Sequence, residues 1–136
     1  MTQVIIHSNV NGGISICVPT GEISIEEVLK KDCPNDGSAF IIDDSELPQG
    51  DNFQFFDAWE VNNNIVSVNL DKAKQIRLQQ FNQAALQVGQ SRQLNTYAGI
   101  VNTEDDNTWL SGLNASRQSI NSATSISDLL ANLLPN

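Results

Sequence analysis

Few side chains in this sequence have the types and spacing that catalysis requires. His7 is the only histidine, and no nucleophile or metal-ligand companion stands at a recognisable spacing from it. We interpret it as a surface or strand-end histidine. The sequence also contains no phosphate-binding glycine loop, no nucleophile elbow and no basic patch for nucleic acid. We therefore expect a protein that is not an enzyme and that uses no cofactor.

Two acidic clusters have residue types that could gather a cation. The first is formed by Asp43, Asp44 and Glu46, and the second is the run 104–106. The first cluster lacks the spaced oxygen ligands and the obligatory glycine of a calcium loop, and the second cluster is treated with the same caution. We expect both to be solvated turns that bind no metal.

The cysteines and tryptophans fit packing better than chemistry. Cys17 lies in an alternating apolar run and Cys33 lies beside a proline, without a CxxC motif, so we expect reduced thiols and no disulfide. Trp59 and Trp109 could each anchor a sugar or a partner protein through exposed aromatic surface. Their core-like spacing favours burial instead.

The charge of the chain is concentrated in its first half. Residues 1–70 contain eleven acids and two bases, whereas residues 71–136 contain five of each, so the first half carries the whole net charge of −9. Such a surface repels nucleic acid. It can also mimic a phosphate backbone and block a nucleic-acid-binding enzyme, although scattered acids usually serve only solubility.

The length of 136 residues is that of one ordinary domain, which can build a core without disulfide or metal support. No apolar run is long enough to cross a bilayer, and the first 19 residues lack the basic start and apolar stretch of a signal peptide. We therefore expect a cytosolic origin, with no membrane and no nucleic acid among its partners.

The element that positions the rest of the chain is a long helix predicted over residues 70–88. Asn69 is a suitable N-cap, and Asp71 complements the positive end of the helix dipole. At 100° per residue, one face of this helix is apolar. Its members are Leu70, Ala73, Phe81, Ala84, Ala85 and Val88. This face requires a partner surface.

The first half is predicted to be rich in strands. The predicted strands are residues 3–6, 14–18, 38–42, 53–61 and 65–68, with a loop over 45–52. Turns at 9–13 and at 62–64 make hairpins of the first two strands and of the last two. Ser24 and Glu27 have capping-box spacing and begin a short helix over 25–31, which Pro34 ends.

The second half is predicted to be helical but less regular. Residues 89–106 are either a weaker helix up to about Ala98 or a linker. Asn107 or Thr108 can then cap a helix in which Trp109, Leu113 and Ile120 share one face, although its glycine weakens it.

A short capped segment follows near the C-terminal end of the sequence. Ser125 and Asp128 have cap-like spacing, and Pro135 stops the apolar run after them. The run contains Leu129, Leu130, Leu133 and Leu134. These leucines must dock, either on the core of this chain or on another subunit.

Together these patterns predict an α+β fold. We expect a small, mostly antiparallel sheet of about five strands, then the long amphipathic helix and a helical C-terminal segment. The predicted division is an α+β domain over residues 1–88 and a helical extension over residues 89–136.

Several motifs, taken in order, resemble a known family. They are VPTGE at 18–22, SIEEV at 24–28, KDCP at 31–34, IDDSELP at 42–48, FDAWE at 56–60 and VNLDKAK at 68–74. Their order is similar to that of the tail assembly or tail-fibre assembly proteins of tailed bacteriophages, over about residues 14–76. A weaker similarity to phage tail proteins covers 113–130. Residues 79–93 differ, because they are rich in glutamine where the family usually has a basic, arginine-containing helix.

The resemblance implies a non-enzymatic protein that binds tail or tail-fibre proteins. It would act as an assembly chaperone in the host cytoplasm or as a minor component of the virion tail, and self-association is a further expectation. The alternative is an acidic inhibitor that mimics DNA. The candidate partner-binding residues are Phe81, Val88, Trp109, Leu113, Leu129, Leu130, Leu133 and Leu134.

Overall fold

The computed structural model describes residues 2–9, 13–32 and 39–136. In these residues it contains five strands: β1 (Gln3–Ser8), β2 (Ile14–Cys17), β3 (Phe40–Asp43), β4 (Trp59–Asn62) and β5 (Ile65–Val68). The helices are α1 (Ile25–Asp32), α2 (Leu70–Tyr97), α3 (Asp106–Asn121) and α4 (Ile126–Ala131). The α+β class predicted from the sequence is confirmed.

Some predicted features lie outside the described residues. They are the centre of the first turn at residues 10–12, the thiol of Cys33, the helix-ending Pro34 and the first residue of the strand predicted over 38–42.

Contacts between residues divide the chain into two compact units, Met1–Asn69 and Leu70–Asn136. We call them the sheet unit and the helical unit. The sequence-based boundary after Val88 differs from this division, because it falls inside α2, which continues without interruption to Tyr97. The whole of α2 therefore belongs with the helices that follow it.

The sheet unit contains two antiparallel sheets. In the first, β1 lies between β2 and β3 and is antiparallel to both. The second is the hairpin of β4 and β5, in which Asn62 pairs with Ile65. Asn63 and Asn64 form its turn with φ of 53° and 61°, as a two-residue hairpin of right-handed twist requires. The antiparallel pairing of the strands in both predicted hairpins is confirmed, and the five strands form two sheets.

The strand predicted over residues 53–61 is correct only at its end. Residues 50–58 form 3₁₀ helix, and the strand begins at Trp59. The aromatic rings explain this difference, because Phe53, Phe56 and Trp59 are spaced by three residues, and a 3₁₀ helix that ends just before Trp59 brings both phenylalanine rings beside the indole. Their ring centroids are 5.3 Å apart for Phe53 and Trp59 and 5.1 Å apart for Phe56 and Trp59. The indole N–H of Trp59 donates to the carbonyl of Asn52 at 3.0 Å, which closes the segment.

The two sheets share one core. Its buried side chains are Val4, Ile6, Ile14, Leu47, Trp59 and Val66. Trp59 has no exposed surface, as its spacing predicted. α1 contacts β1, and Ser24 caps this helix by accepting from the amide of Glu27 at 3.2 Å, as predicted.

In the helical unit, α2, α3 and α4 contact one another. α2 ends in a Schellman motif, in which Gly99 has a φ of 75°, its amide donates to Thr96, and the amide of Ile100 donates to Asn95. The polar stretch after Val88 is therefore helical up to this glycine. Glycine is suited to this position because side chains disfavour positive φ.

The two later helices are capped by side chains. Asp105, rather than Asn107 or Thr108, caps α3 by accepting from the amide of Thr108 at 2.7 Å. Thr108 is the third residue of the helix, where a cap's hydrogen bond is normally donated. In α4 the predicted cap is confirmed, since Ser125 accepts from the amide of Asp128.

Basic side chains of α2 close the other ends of these helices. Lys74 Nζ donates to the carbonyl of Asn121 at 3.0 Å, at the last residue of α3. Arg77 Nη2 donates to the carbonyl of Asn132 at 2.7 Å, just after α4. Cations are favourable there because the last carbonyls of a helix have no partner within it.

Candidate protein-binding site

The eight candidate residues fall into three groups by exposure. Phe81, Leu113 and Leu129 are buried within the helical unit. Their large side chains have little or no surface left for another protein, so in this conformation they act as core residues. Val88, Trp109 and Leu130 are half-buried, and Leu133 and Leu134 are exposed. These five remain available for contact.

Trp109 occupies the first turn of α3 and lies across the last third of α2. A Cβ atom placed at Gly89 would be 3.3 Å from Cη2 of Trp109, so only glycine leaves the indole this close to the helix. The guanidinium carbon of Arg92 lies 5.0 Å from the centroid of the ring, within the range of a cation–π interaction. The tryptophan is therefore held in place while part of its ring stays exposed.

Arg92 is itself fixed by the residues that lead into α3. Its Nη2 forms an ion pair with Oδ1 of Asp106 at 2.8 Å and donates to the carbonyl of Glu104 at 2.8 Å. Its side chain is 12% exposed, whereas that of Asp106 is 81% exposed. The arginine therefore joins α2, the corner after it and α3 into one surface around Trp109.

Asp105 completes the corner between the two helices. Its carboxyl accepts hydrogen bonds from the backbone amide and the side chain of Thr108, and these bonds, the backbone one most, hold its pKa below the usual value. The positive charge of the nearby Arg92 lowers the pKa further. The acidic run 104–106 thus has structural roles. The backbone carbonyl of Glu104 and the carboxylate of Asp106 hold Arg92, and the carboxylate of Asp105 caps α3.

Clefts surround Trp109. One of about 500 Å³ is lined by Arg92, Tyr97, Asp106 and Leu110, and a second of about 430 Å³ by Val101 and Asn102. Trp109 lines both. We call this region the Trp109 cleft.

Exposed apolar side chains rim the Trp109 cleft. Val101 is 90% exposed, and Leu110 is also exposed. Surface of this kind is typical of sites that bind apolar side chains of other proteins.

The C-terminal leucines separate into two sets. Leu129 lies on α4 and has no exposed surface, so it docks on its own chain. Leu133 and Leu134 follow the end of α4 at Ala131, and Leu133 is 80% exposed. Leu133 and Trp109 line the same small cleft, which extends the apolar surface.

His7 and Cys17, two residues considered for chemistry, lie on neighbouring strands of the first sheet. His7 is half-buried in β1 opposite Ser15, and its Nδ1 atom is buried without a hydrogen-bond partner. Cys17 is a half-buried free thiol. Within the described ranges, no group of three or more histidine, cysteine, aspartate or glutamate side chains could hold a metal ion. Among the same residues, no helix combines the length and apolar character needed to span a bilayer.

Trp109 and the terminal leucines were candidates from the sequence, whereas Arg92, Gly89 and Asp106 were not. One signal was available, because Arg92 is the only charged residue in the twenty positions 78–97. A single arginine in such a segment indicates a specific contact with another residue of the chain. The identity of that residue depends on how the chain turns between α2 and α3, and the local sequence pattern does not specify this turn.

Comparison of the chain with protein-family models, with curated proteins and with solved structures gave no match.

Proposed function

We propose that this protein is a non-enzymatic binding protein of a tailed bacteriophage, and that it contacts tail or tail-fibre proteins through the Trp109 cleft. The observation that supports binding is the group of exposed apolar side chains around a fixed tryptophan and arginine. The class of partner comes from the resemblance of residues 14–76 to phage tail assembly proteins.

The residue types in the cleft suit a protein interface. Tryptophan and arginine are enriched among the residues that dominate binding energy, especially where they are already ordered before binding. Leu133 and Val101 are 80% and 90% exposed. Full burial of such side chains is worth roughly 1.5–3 kcal/mol each, so a partner that covers them gains binding energy without a change in fold.

In this proposal the protein acts in the host cytoplasm during tail assembly, either as a chaperone or as a component that stays in the virion tail. Mass spectrometry of purified virions distinguishes the two roles. A chaperone is absent from the particle, and a component is present at fixed stoichiometry.

The binding site is tested by replacing Leu133 and Leu134 together by aspartate. Both lie beyond α4, so we expect the melting of the helical unit to stay cooperative. Co-expression with the tail and tail-fibre proteins of the same phage, followed by size-exclusion chromatography, should show the wild-type complex and its loss in the variant. Val18→Asp is the matched control, since Val18 is exposed in the sheet unit. A complex that survives the leucine pair would refute this location of the site.

The rival proposal, an acidic inhibitor of a nucleic-acid-binding enzyme, is supported by charge alone. Through Asn69 the chain carries eleven acids and two bases, whereas from Leu70 onward it carries five of each. Binding by mimicry depends on these acids, so neutralising Asp43, Asp44, Glu46 and Asp51 should abolish it, and salt should weaken it steeply. A complex that persists in roughly half-molar salt favours contact through apolar surface.

A further inference from the structure

The outward face of α2 carries a second surface, which shares Gln93 and Tyr97 with the lining of the Trp109 cleft at its C-terminal end. Six exposed residues follow one another at alternating spacings of four and three. They are Gln79, Gln83, Leu86, Gln90, Gln93 and Tyr97. This spacing is the heptad spacing of the contact positions in a coiled coil, and we call the six residues the α2 seam.

The α2 seam lies opposite the side of the helix that packs in its own unit. Phe81 and Ala85 are buried, and Val88 is half-buried, about half a turn away from the seam. Leu86 is 63% exposed and Tyr97 is 77% exposed. These side chains therefore have no large contact within the chain.

The seam and its borders carry no charge. Between positions 78 and 97 the single charged residue is Arg92, which is paired with Asp106 on the inner side. The bordering positions Gln80, Asn82, Gln87, Leu94 and Thr96 are all uncharged. A helix face whose only role is to meet water normally carries charged residues, so an uncharged exposed face of this length indicates a contact surface.

We propose that the α2 seam pairs with the α2 seam of a second copy of this chain. Glutamine side chains both donate and accept hydrogen bonds, so rows of glutamine from two identical helices satisfy one another. Coiled-coil helices that select a non-identical helix do so through charged residues beside the contact positions. The positions beside the α2 seam on this helix carry no charge. Two-fold pairing of identical surfaces is also the commonest form of protein oligomer.

The geometry is sufficient for a weak dimer. Nineteen residues from Gln79 to Tyr97 span about 28 Å at 1.5 Å per residue. If the ten exposed side chains of the seam and its border lose about 60 Å² each, the pair buries roughly 600 Å² per copy, at the low end of specific interfaces. α2 is already held as a helix by α3 and α4, so association carries no cost of helix formation.

The test uses the full-length chain with charges placed on the seam. One variant carries Gln83→Glu with Gln90→Glu, and the other carries Gln83→Lys with Gln90→Lys. Glutamate and lysine match glutamine in helix propensity, so α2 stays intact, and circular dichroism checks this. Analytical ultracentrifugation up to roughly 100 μM should show self-association of the wild type and a rise in Kd of about tenfold or more for each variant alone.

Mixing the two variants supplies opposite charges and should restore the dimer in either helix orientation. The matched control is Ser111→Glu with Gln118→Glu, seven residues apart on exposed positions of α3. It should associate like the wild type. A monomeric wild type, an unchanged Kd in the single-sign variants, or a mixture that stays monomeric would each overturn the proposal. None of these changes touches Leu133 or Leu134, so tail-protein binding can be scored separately.

Discussion

Two helical glycines provide a direct measure of how tightly Trp109 packs. Gly89 lies inside α2 and Gly112 lies inside α3. Replacing either by alanine removes the same intrinsic penalty, about 0.8–1.0 kcal/mol in a helix interior. The surroundings of the two positions differ. A Cβ at Gly112 meets nothing within 4 Å, whereas a Cβ at Gly89 lies 3.3 Å from Cη2 of Trp109.

The difference in distance sets the expected magnitudes. Gly112→Ala should raise the free energy of unfolding of the helical unit by about 0.8–1 kcal/mol. In Gly89→Ala the methyl group is closer than the roughly 3.5–4.0 Å of an ordinary carbon contact, so the indole must move by a few tenths of an ångström. Because the cation–π contact with Arg92 and the ion pair with Asp106 resist this movement, we expect a gain smaller than that of Gly112→Ala or a net loss.

A double-mutant cycle separates the two contributions. Truncation of the ring in Trp109→Ala removes the clash, so Gly89→Ala should then give the full propensity gain. Thermal and denaturant unfolding, followed by circular dichroism at the helical band, measure all four combinations. If Gly89→Ala stabilises the wild-type chain as much as Gly112→Ala does, Trp109 does not pack on Gly89 and does not form this wall of the cleft.

Three further predictions concern the helical unit. Replacing Arg77 by methionine leaves the carbonyl of Asn132 without its charged donor and should lower the free energy of unfolding by roughly 1.5–3 kcal/mol, measured by denaturant titration; an unchanged midpoint would show that water replaces the guanidinium. The pKa values of Asp105 and Asp128 are lowered in the folded state, chiefly by hydrogen bonds from the backbone amides of Thr108 and Thr124 respectively. The stability that these carboxylates contribute is therefore present above the usual pKa of 3.8 and is lost as pH falls through the lowered pKa. In a variant with asparagine at both positions, the melting temperature should therefore fall less steeply than in the wild type as pH is lowered below about 4. A fragment of residues 70–136 should melt cooperatively; a fragment that stays unfolded while residues 1–88 melt cooperatively would instead support the boundary after Val88.

The sequence allowed prediction of the features that depend on near neighbours. The asparagine turn between β4 and β5 and the caps at Ser24 and Ser125 each need only a few adjacent residues, and all three are confirmed. The extent of α2 was underestimated because Gly89, Ser91 and Asn95 lower the helix propensity of this stretch, although the stop signal came only at Gly99.

The prediction was weaker where an aromatic pattern or a distant contact decides the structure. The run that begins at Phe53 fits both a strand and a 3₁₀ turn, and the stacking of its rings on Trp59 selects the turn. For the site, Trp109 was a candidate, but Arg92 was not. The two residues are seventeen positions apart and come together only because the chain reverses between α2 and α3. Leu129 and Leu133 were indistinguishable by pattern, yet the first is buried and the second is exposed.

The contacts of Lys74 and Arg77 have a consequence for the order of folding during synthesis. These two side chains lie on the first turns of α2, but the carbonyls that they bind belong to residues 121 and 132, which are 47 and 55 positions later. At about 5–20 residues per second, a ribosome needs several seconds to add that length. Until then α2 can form its turns while both cations stay solvated. The hydrogen bonds that tie α2 to the ends of α3 and α4 therefore form one after the other, the first only after residue 121 has been added and the second only after residue 132.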